Sequence, residues 1–193
     1  MEYVVAIVLG YLMGSIPFAA LVAARYGVDL RAAGDRNPGA WNALEQLGAR
    51  RAWPAFAGDG LKGTAAGLVG LALGGTWVAY AGVAAAMVGH ALPAFARLRG
   101  GKAVMTFAGG MFAVASLAAV IALAVCVAVA LAARSFAWGA RAGVVAVVPA
   151  QLALDGPTVT AATGALMCLI GTLFLARRND ARARTSTDAA PPP

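Results

Sequence analysis

Residues 103–133 read AVMTFAGGMFAVASLAAVIALAVCVAVALAA, a run of about 31 positions without a charge. Its length decides the span count. A helix crosses a bilayer with about 20 apolar residues, so this run is too long for one ordinary crossing and short for two. Charge arbitrates, because the cytoplasmic ends of membrane helices collect Lys and Arg. Suppose the run crosses twice, as a hairpin broken near 110–117, with the N-terminus outside. Residues 25–52, 96–102, 134–141 and the tail from 177 then share the inner face, and every Arg of the chain falls in those four segments. Suppose it crosses once. Arg134, Arg141, Arg177, Arg178, Arg182 and Arg184 then all lie outside. The two-crossing reading follows, with halves short enough to tilt or to penetrate part way.

The rest of the chain agrees. It is 61% hydrophobic and 12% charged, with mean hydropathy +0.78, where soluble domains carry about 25% charged residues. Further apolar runs at 3–24, 53–75, 77–95, 142–154 and 157–176 bring the count to about seven. The reading is an all-α, polytopic integral membrane protein, N-terminus outside and C-terminus cytoplasmic. The runs are continuous and lack the alternation of a membrane β-barrel. Residues 3–24 suit a first membrane helix better than a cleaved signal, since Glu2 stands where a basic segment is expected. Gly14-Ser15-Ile16-Pro17 interrupts that run and predicts a kink whose freed carbonyl a neighbouring helix satisfies. Residues 1–180 form one domain. Residues 181–193, polar and ending in Pro191-Pro192-Pro193, read as a disordered tail. The net charge of +7 is a topology signal that also attracts anionic headgroups or substrates; nucleic acid is not expected as a partner.

Three polar islands share the predicted cytoplasmic face. Gly34-Asp35-Arg36-Asn37-Pro38-Gly39-Ala40-Trp41-Asn42 has two Asn five apart, bracketed by Gly and Pro. Gly exposes backbone N–H groups to an oxyanion and Asn offers donors and acceptors, though the same residues make an ordinary solvated turn. Asp59-Gly60-Leu61-Lys62-Gly63 puts two ionisable groups at i,i+3 in an apolar run. Such groups are commonly functional, and equally make a structural pair at an interfacial helix end. The third island, Arg97-Leu98-Arg99-Gly100-Gly101-Lys102, precedes a new helix. A glycine turn at a helix start, with a Lys beside it, suits phosphate, although the upstream Gly of a P-loop is missing. His90, the chain's single histidine, lies just upstream.

Several chemistries are missing. Cys126 and Cys168 fall inside apolar runs, and one His with no clustered Cys excludes most metal sites; no metal and no cofactor is expected. Position 95, five after His90, is Phe, so the His-x4-Asp pair of soluble glycerolipid acyltransferases is absent, and no Gly-x-Ser-x-Gly elbow is present. Catalysis must rest on oriented donors and positive charge or on the substrate's own groups.

Taken together, the islands resemble the bacterial acyl-phosphate:glycerol-3-phosphate acyltransferases, the PlsY family, over residues 1–180. Gly14-Ser15-Ile16-Pro17-Phe18 is similar to its Gly-Ser-Ile-Pro opening, and residues 34–42 to its Gly-Ser-Gly-Asn-x-Gly-Ala-Thr-Asn motif. Asp59-x-x-Lys62-Gly63 matches Asp-x-x-Lys-Gly. Gly89-His90, Pro93, Phe95 and then Gly100-Gly101-Lys102-x-Val104-x-Thr106 resemble Gly-His-x-x-Pro-x-Phe followed by Gly-Gly-Lys-Gly-Val-Ala-Thr, and Arg177-x-Asn179 resembles the closing His-Arg-x-Asn. The resemblance implies acyl transfer from an acyl phosphate to glycerol 3-phosphate, giving lysophosphatidic acid and phosphate for phospholipid synthesis. It also implies a multi-pass protein of the bacterial plasma membrane whose site faces the cytoplasm, with membrane lipids around it. On this resemblance Asn37 and Lys102 are catalytic, and Arg36, Gly39, Asn42, Asp59, Lys62, His90, Arg99, Gly100, Gly101, Thr106 and Asn179 bind substrate. The chain departs from the pattern at Asp35 (Ser in the family), Arg36 (Gly), Trp41 (Thr), Glu45 (Arg), Ala103 (Gly) and Ala176 (His). Asp35 and Glu45 each put a carboxylate where a phosphate belongs. They leave a second reading: a scaffold without this catalysis, or one turned to a lipid phosphate or a less anionic acceptor.

Overall fold

The computed structural model describes residues 1–188, and the side chains of residues 1–175. Among the described residues the regular structure is helical throughout. The helices are α1 (Glu2–Gly14), α2 (Phe18–Ala24), α3 (Ala40–Leu47), α4 (Ala49–Gly74), α5 (Thr76–Ala91), α6 (Val104–Val114), α7 (Ser116–Ala132), α8 (Phe136–Asp155) and α9 (Pro157–Asp188), with one 3-10 turn at Ala94–Ala96. By length and composition, four stretches suffice to cross a membrane: Glu2–Ala24, Thr76–Ala96, Phe136–Asp155 and Pro157–Leu175. Three connections are single glycines in left-handed or related conformations, Gly48, Gly75 and Gly156, with φ between 76° and 80°. A side chain there would meet its own carbonyl, so only Gly turns the chain that tightly.

The apolar run at 103–133 breaks once, at Ala115 (φ −150°, ψ 58°), inside the expected window. It becomes an 11-residue α6 and a 17-residue α7, roughly 16 and 25 Å long at 1.5 Å per residue. Each is shorter than a ~30 Å hydrocarbon core. The two halves part company: α6 packs on α4 and α7 on α8. The first run breaks at the predicted kink, and the carbonyl of Ile16 accepts a bond from Lys62 Nζ at 3.0 Å. Ser15 Oγ donates to the Tyr11 carbonyl at 2.8 Å and accepts from the Ala94 N–H at 3.2 Å. The kink is therefore tied to both α4 and the segment after α5.

Two expectations change. Residues 134–141, read as a loop, shrink to a short turn because α8 already begins at Phe136. Nothing in 136–141 stops a helix. Arg141 lies on its second turn with its guanidinium carbon 5.0 Å from the Trp138 ring centre. Residues 181–188, read as part of a disordered tail, continue α9, since Ala and Arg propagate a helix and no proline intervenes before Pro191.

Two apolar clusters hold the bundle. The larger joins α5, α6, α7, α8 and α9 around Val83, Met87, Phe107 and Met111. The smaller, Ala19, Ala23, Leu30, Ala40, Ala43, Ala52 and Ala55, seats residues 28–40 and α3 against α2 and α4. Leu30 is buried to 1%, a burial worth ~1.5–3 kcal/mol. It anchors an otherwise polar segment at the end of the bundle where the site lies.

Candidate active site

The segment after α5 folds back onto that helix's last turn. The N–H of Gly100 donates to Ala91 and that of Gly101 to His90, at 3.1 and 3.0 Å. Arg97, Leu98 and Ala103 all take positive φ of 55–60° to make this path. The two glycines are required by proximity. A Cβ on Gly100 would meet the His90 carbonyl, and one on Gly101 would meet His90 Nε2. A Cβ on Gly39 would reach the Gly101 Cα at 3.9 Å, so the first and third islands face each other.

Beneath that loop lies a buried ionic cluster. Lys62 Nζ is 2.9 Å from Asp59 Oδ1, and His90 Nδ1 is 3.5 Å from the same oxygen. Asp59, Lys62 and His90 are 1%, 4% and 7% exposed. The space left among them and Ile16, Pro38 and Arg99 is about 10 Å³, room for about one water. The three side chains line this pocket together with Arg99, Gly100 and Gly101. The cluster supports the floor of the cleft: Lys62 holds the kink through Ile16, and His90 holds the glycine loop.

The cleft's rim carries the exposed groups. Asp35 accepts the Asn37 N–H on Oδ1 at 3.0 Å and Lys102 Nζ on Oδ2 at 3.0 Å. Lys102 Nζ also sits 5.7 Å from the Phe174 ring centre. Arg31 donates to the Arg99 carbonyl at 3.2 Å, tying the segment before the first island to the third. Arg36, at φ 57°, and Arg99 are exposed. Gly39 caps the start of α3 and Ala103 the start of α6. Both helices thus begin at the cleft, where their first N–H groups favour an anion. Asn37 is 8% exposed, and its Oδ1 has no hydrogen-bond partner among the described residues.

Not every predicted residue reaches this cleft. Asn42 is fully buried, and its Nδ2 faces the carbonyls of Leu30, Ala33 and Asn37 at 2.9–3.1 Å. It braces the loop that presents Asn37. Thr106 is also fully buried, at the α4–α6 contact, where its carbonyl lies against Gly63. Asn179 lies outside the described side chains. Three participants went unread in the sequence: Ser15, Arg31 and Phe174. Ser15 stood in a motif noted as a kink and as the family's opening, without a site role; Arg31 and Phe174 carry no local signal. The two carboxylates that depart from the family pattern both have partners. Asp35 pairs with Lys102, and Glu45 Oε1 accepts from Trp41 Nε1 at 2.7 Å. The Trp41 ring stacks on Phe136 at 5.5 Å, and Phe56 meets Phe136 edge-on.

Comparison with known proteins accords with this geometry. A family model described as glycerol-3-phosphate acyltransferase matches residues 4–185. A glycerol-3-phosphate acyltransferase of Thermus thermophilus is 37% identical over 94% of this chain and 92% of its own length. One of Roseobacter denitrificans is 38% identical, covering 94% and 90%. The match to a Rubrobacter xylanophilus relative is 46% identical and spans 57% of that protein's length. The crystal structure of PlsY, an integral membrane glycerol 3-phosphate acyltransferase in its glycerol 3-phosphate form, superposes with TM-score 0.81 at 28% identity, covering 96% of this chain and 94% of that one. Its lysophosphatidic acid form gives 0.79 at 27%. The chain belongs to the glycerol-3-phosphate acyltransferase family.

Proposed function

We propose that this protein transfers an acyl group from an acyl phosphate to glycerol 3-phosphate, on the cytoplasmic face of a bacterial plasma membrane. The observation that carries the reading is the convergence of the 34–42 and 97–103 segments, joined by the Asp35–Lys102 pair and by Pro38, Arg99, Gly100 and Gly101 around one small pocket. There, two helix starts, a lysine and close-packed glycines meet beside a buried ionic cluster. Such a cleft favours phosphate by charge and by backbone donors. Family membership adds the reaction class.

The transfer balances without a protein base. The acceptor hydroxyl oxygen bonds to the acyl carbon, the bond from that carbon to the phosphate oxygen breaks, and the departing phosphate keeps the electron pair and takes the hydroxyl proton. His90, under the loop and facing Asp59, acts as support. Lys102 and the Gly100–Gly101 backbone hold phosphate, Asn37 orients the acyl phosphate, and Arg36, Arg99 and Asn179 seat the acceptor. About seven spans, with the N-terminus outside and the C-terminus inside, agree with the Arg distribution and with the break at Ala115. Residues 1–180 form the catalytic unit.

Palmitoyl phosphate and labelled glycerol 3-phosphate, supplied to the purified full-length protein, test the reading. Lysophosphatidic acid is expected from the wild type. Yield no higher than that of Lys102→Ala rejects it.

A further inference from the structure

We infer that Asp35 sets this enzyme's phosphate affinity, because its carboxylate occupies the position on Lys102 that a substrate phosphate must take. The inference rests on the reading of Lys102 as a phosphate holder. Asp35 is not a loose surface charge. Its Oδ1 is fixed by the Asn37 N–H at 3.0 Å, and its Oδ2 is thereby presented to Lys102 Nζ at 3.0 Å across 67 residues of sequence. Both side chains are open to water, at 37% and 40% exposure, so an arriving anion meets the same Nζ that Asp35 holds.

Two ways of binding remain for a phosphate dianion. It displaces the carboxylate from Lys102, or it binds beside a negative charge. Each lowers affinity relative to a chain with a neutral residue at position 35, and each also speeds departure of the phosphate product. The pair is half in water, so displacing the carboxylate costs one unit-charge pair at ~4 Å in a water-like medium, about fivefold. It shrinks in high salt. An uncharged acceptor would not feel it.

The test compares wild type with Asp35→Asn, which keeps an oxygen for the Asn37 N–H while removing the charge. Michaelis constants for palmitoyl phosphate and glycerol 3-phosphate, and the inhibition constant of inorganic phosphate, are measured at ~0.05 and ~1 M salt. At low salt the inhibition constant and one of the two Michaelis constants should fall about fivefold in Asp35→Asn, with kcat within twofold. The difference should narrow at high salt, and Asp35→Glu should stay near wild type. Unchanged or raised constants, or an effect confined to kcat, overturn the inference. Asp35→Ser serves if Asp35→Asn does not fold. If the wild type makes no lysophosphatidic acid, the acyltransfer reading fails, and calorimetric titration of inorganic phosphate into the same proteins still decides about Asp35. Tighter binding to Asp35→Asn than to wild type, with none to Lys102→Ala, supports it; equal binding overturns it.

Discussion

The two walls of the cleft are built in different ways. The wall at 89–103 is made of backbone: glycines with no room for a Cβ, loop amides bonded to the end of α5, and His90 pressed under Gly101. The wall at 34–45 is made of side chains: Asp35 on Lys102, Asn42 on three carbonyls, Trp41 on Glu45 and Phe136. The difference explains where this chain departs from its family's pattern. The glycines of the backbone-built wall have no slack, since a side chain there collides; Ala103, at its end, is the one departure in that wall. A side-chain wall tolerates exchange when the new group finds a partner, and here the carboxylates at 35 and 45 both have one.

The contrast can be broken from below. Lys62→Met removes one half of a buried pair and leaves Asp59 beside His90 and the Ile16 carbonyl without its donor. Loss of about 3–5 kcal/mol is expected, read as a drop in melting temperature in detergent. Next in size, Lys102→Ala removes the cation of the rim; acyltransfer should fall ~10²–10³-fold, on the scale of losing one preorganised charge donor, with the melting temperature little changed. A larger thermal than catalytic loss would make Lys102 a structural residue and erase the distinction between floor and rim. Gly101→Ala tests the no-slack wall directly. Its methyl meets His90 Nε2, and overpacking of this kind costs about 1–3 kcal/mol. Activity should fall with it, whereas a neutral result would show that the loop can lift.

Smaller effects belong to the tolerant wall. Trp41→Thr loses the stack on Phe136 and frees Glu45, for about 0.5–1.5 kcal/mol. Glu45→Arg alone strands the indole N–H. The double change Trp41→Thr/Glu45→Arg restores the family pattern and should be milder than the sum of the singles. Strict additivity in a double-mutant cycle would show that the two residues are not a pair. The smallest expected effect is Ala103→Gly. The left-handed φ of 60° costs Ala about 1–2 kcal/mol, but the methyl is buried in the core, and glycine gains unfolded-state freedom of about 0.5–1 kcal/mol. The melting temperature should stay within a degree or two of wild type.

Much of the molecule was open to reading from one sequence. All-helical architecture followed from long uncharged runs, because a bilayer admits no other continuous apolar segment. The kink at 14–17 and the break near Ala115 were visible through glycine, proline and the placement of arginine. The family was visible in ordered motifs of glycine, asparagine and lysine at fitting spacing. Less visible was the start of α8 at Phe136, where Ser135 at the N-cap is a weak local signal and the helix packs on α7 and Trp41.

The sequence by itself determined the class of fold, the family and the roster of polar residues. Only the tertiary structure decided where each one stands and what it touches. Asn37 and Asn42 look alike in a motif, yet Asn42 is turned inward to three carbonyls while Asn37 stands at the cleft. Asp59, Lys62 and His90 read as a binding set and lie buried together beside the glycine loop. Asp35 reads as a defect and turns out to sit on Lys102. The physical reason is common to all three. A residue's type is local, but its electrostatic partner is chosen by chain segments dozens of residues apart, which meet only when the helices pack.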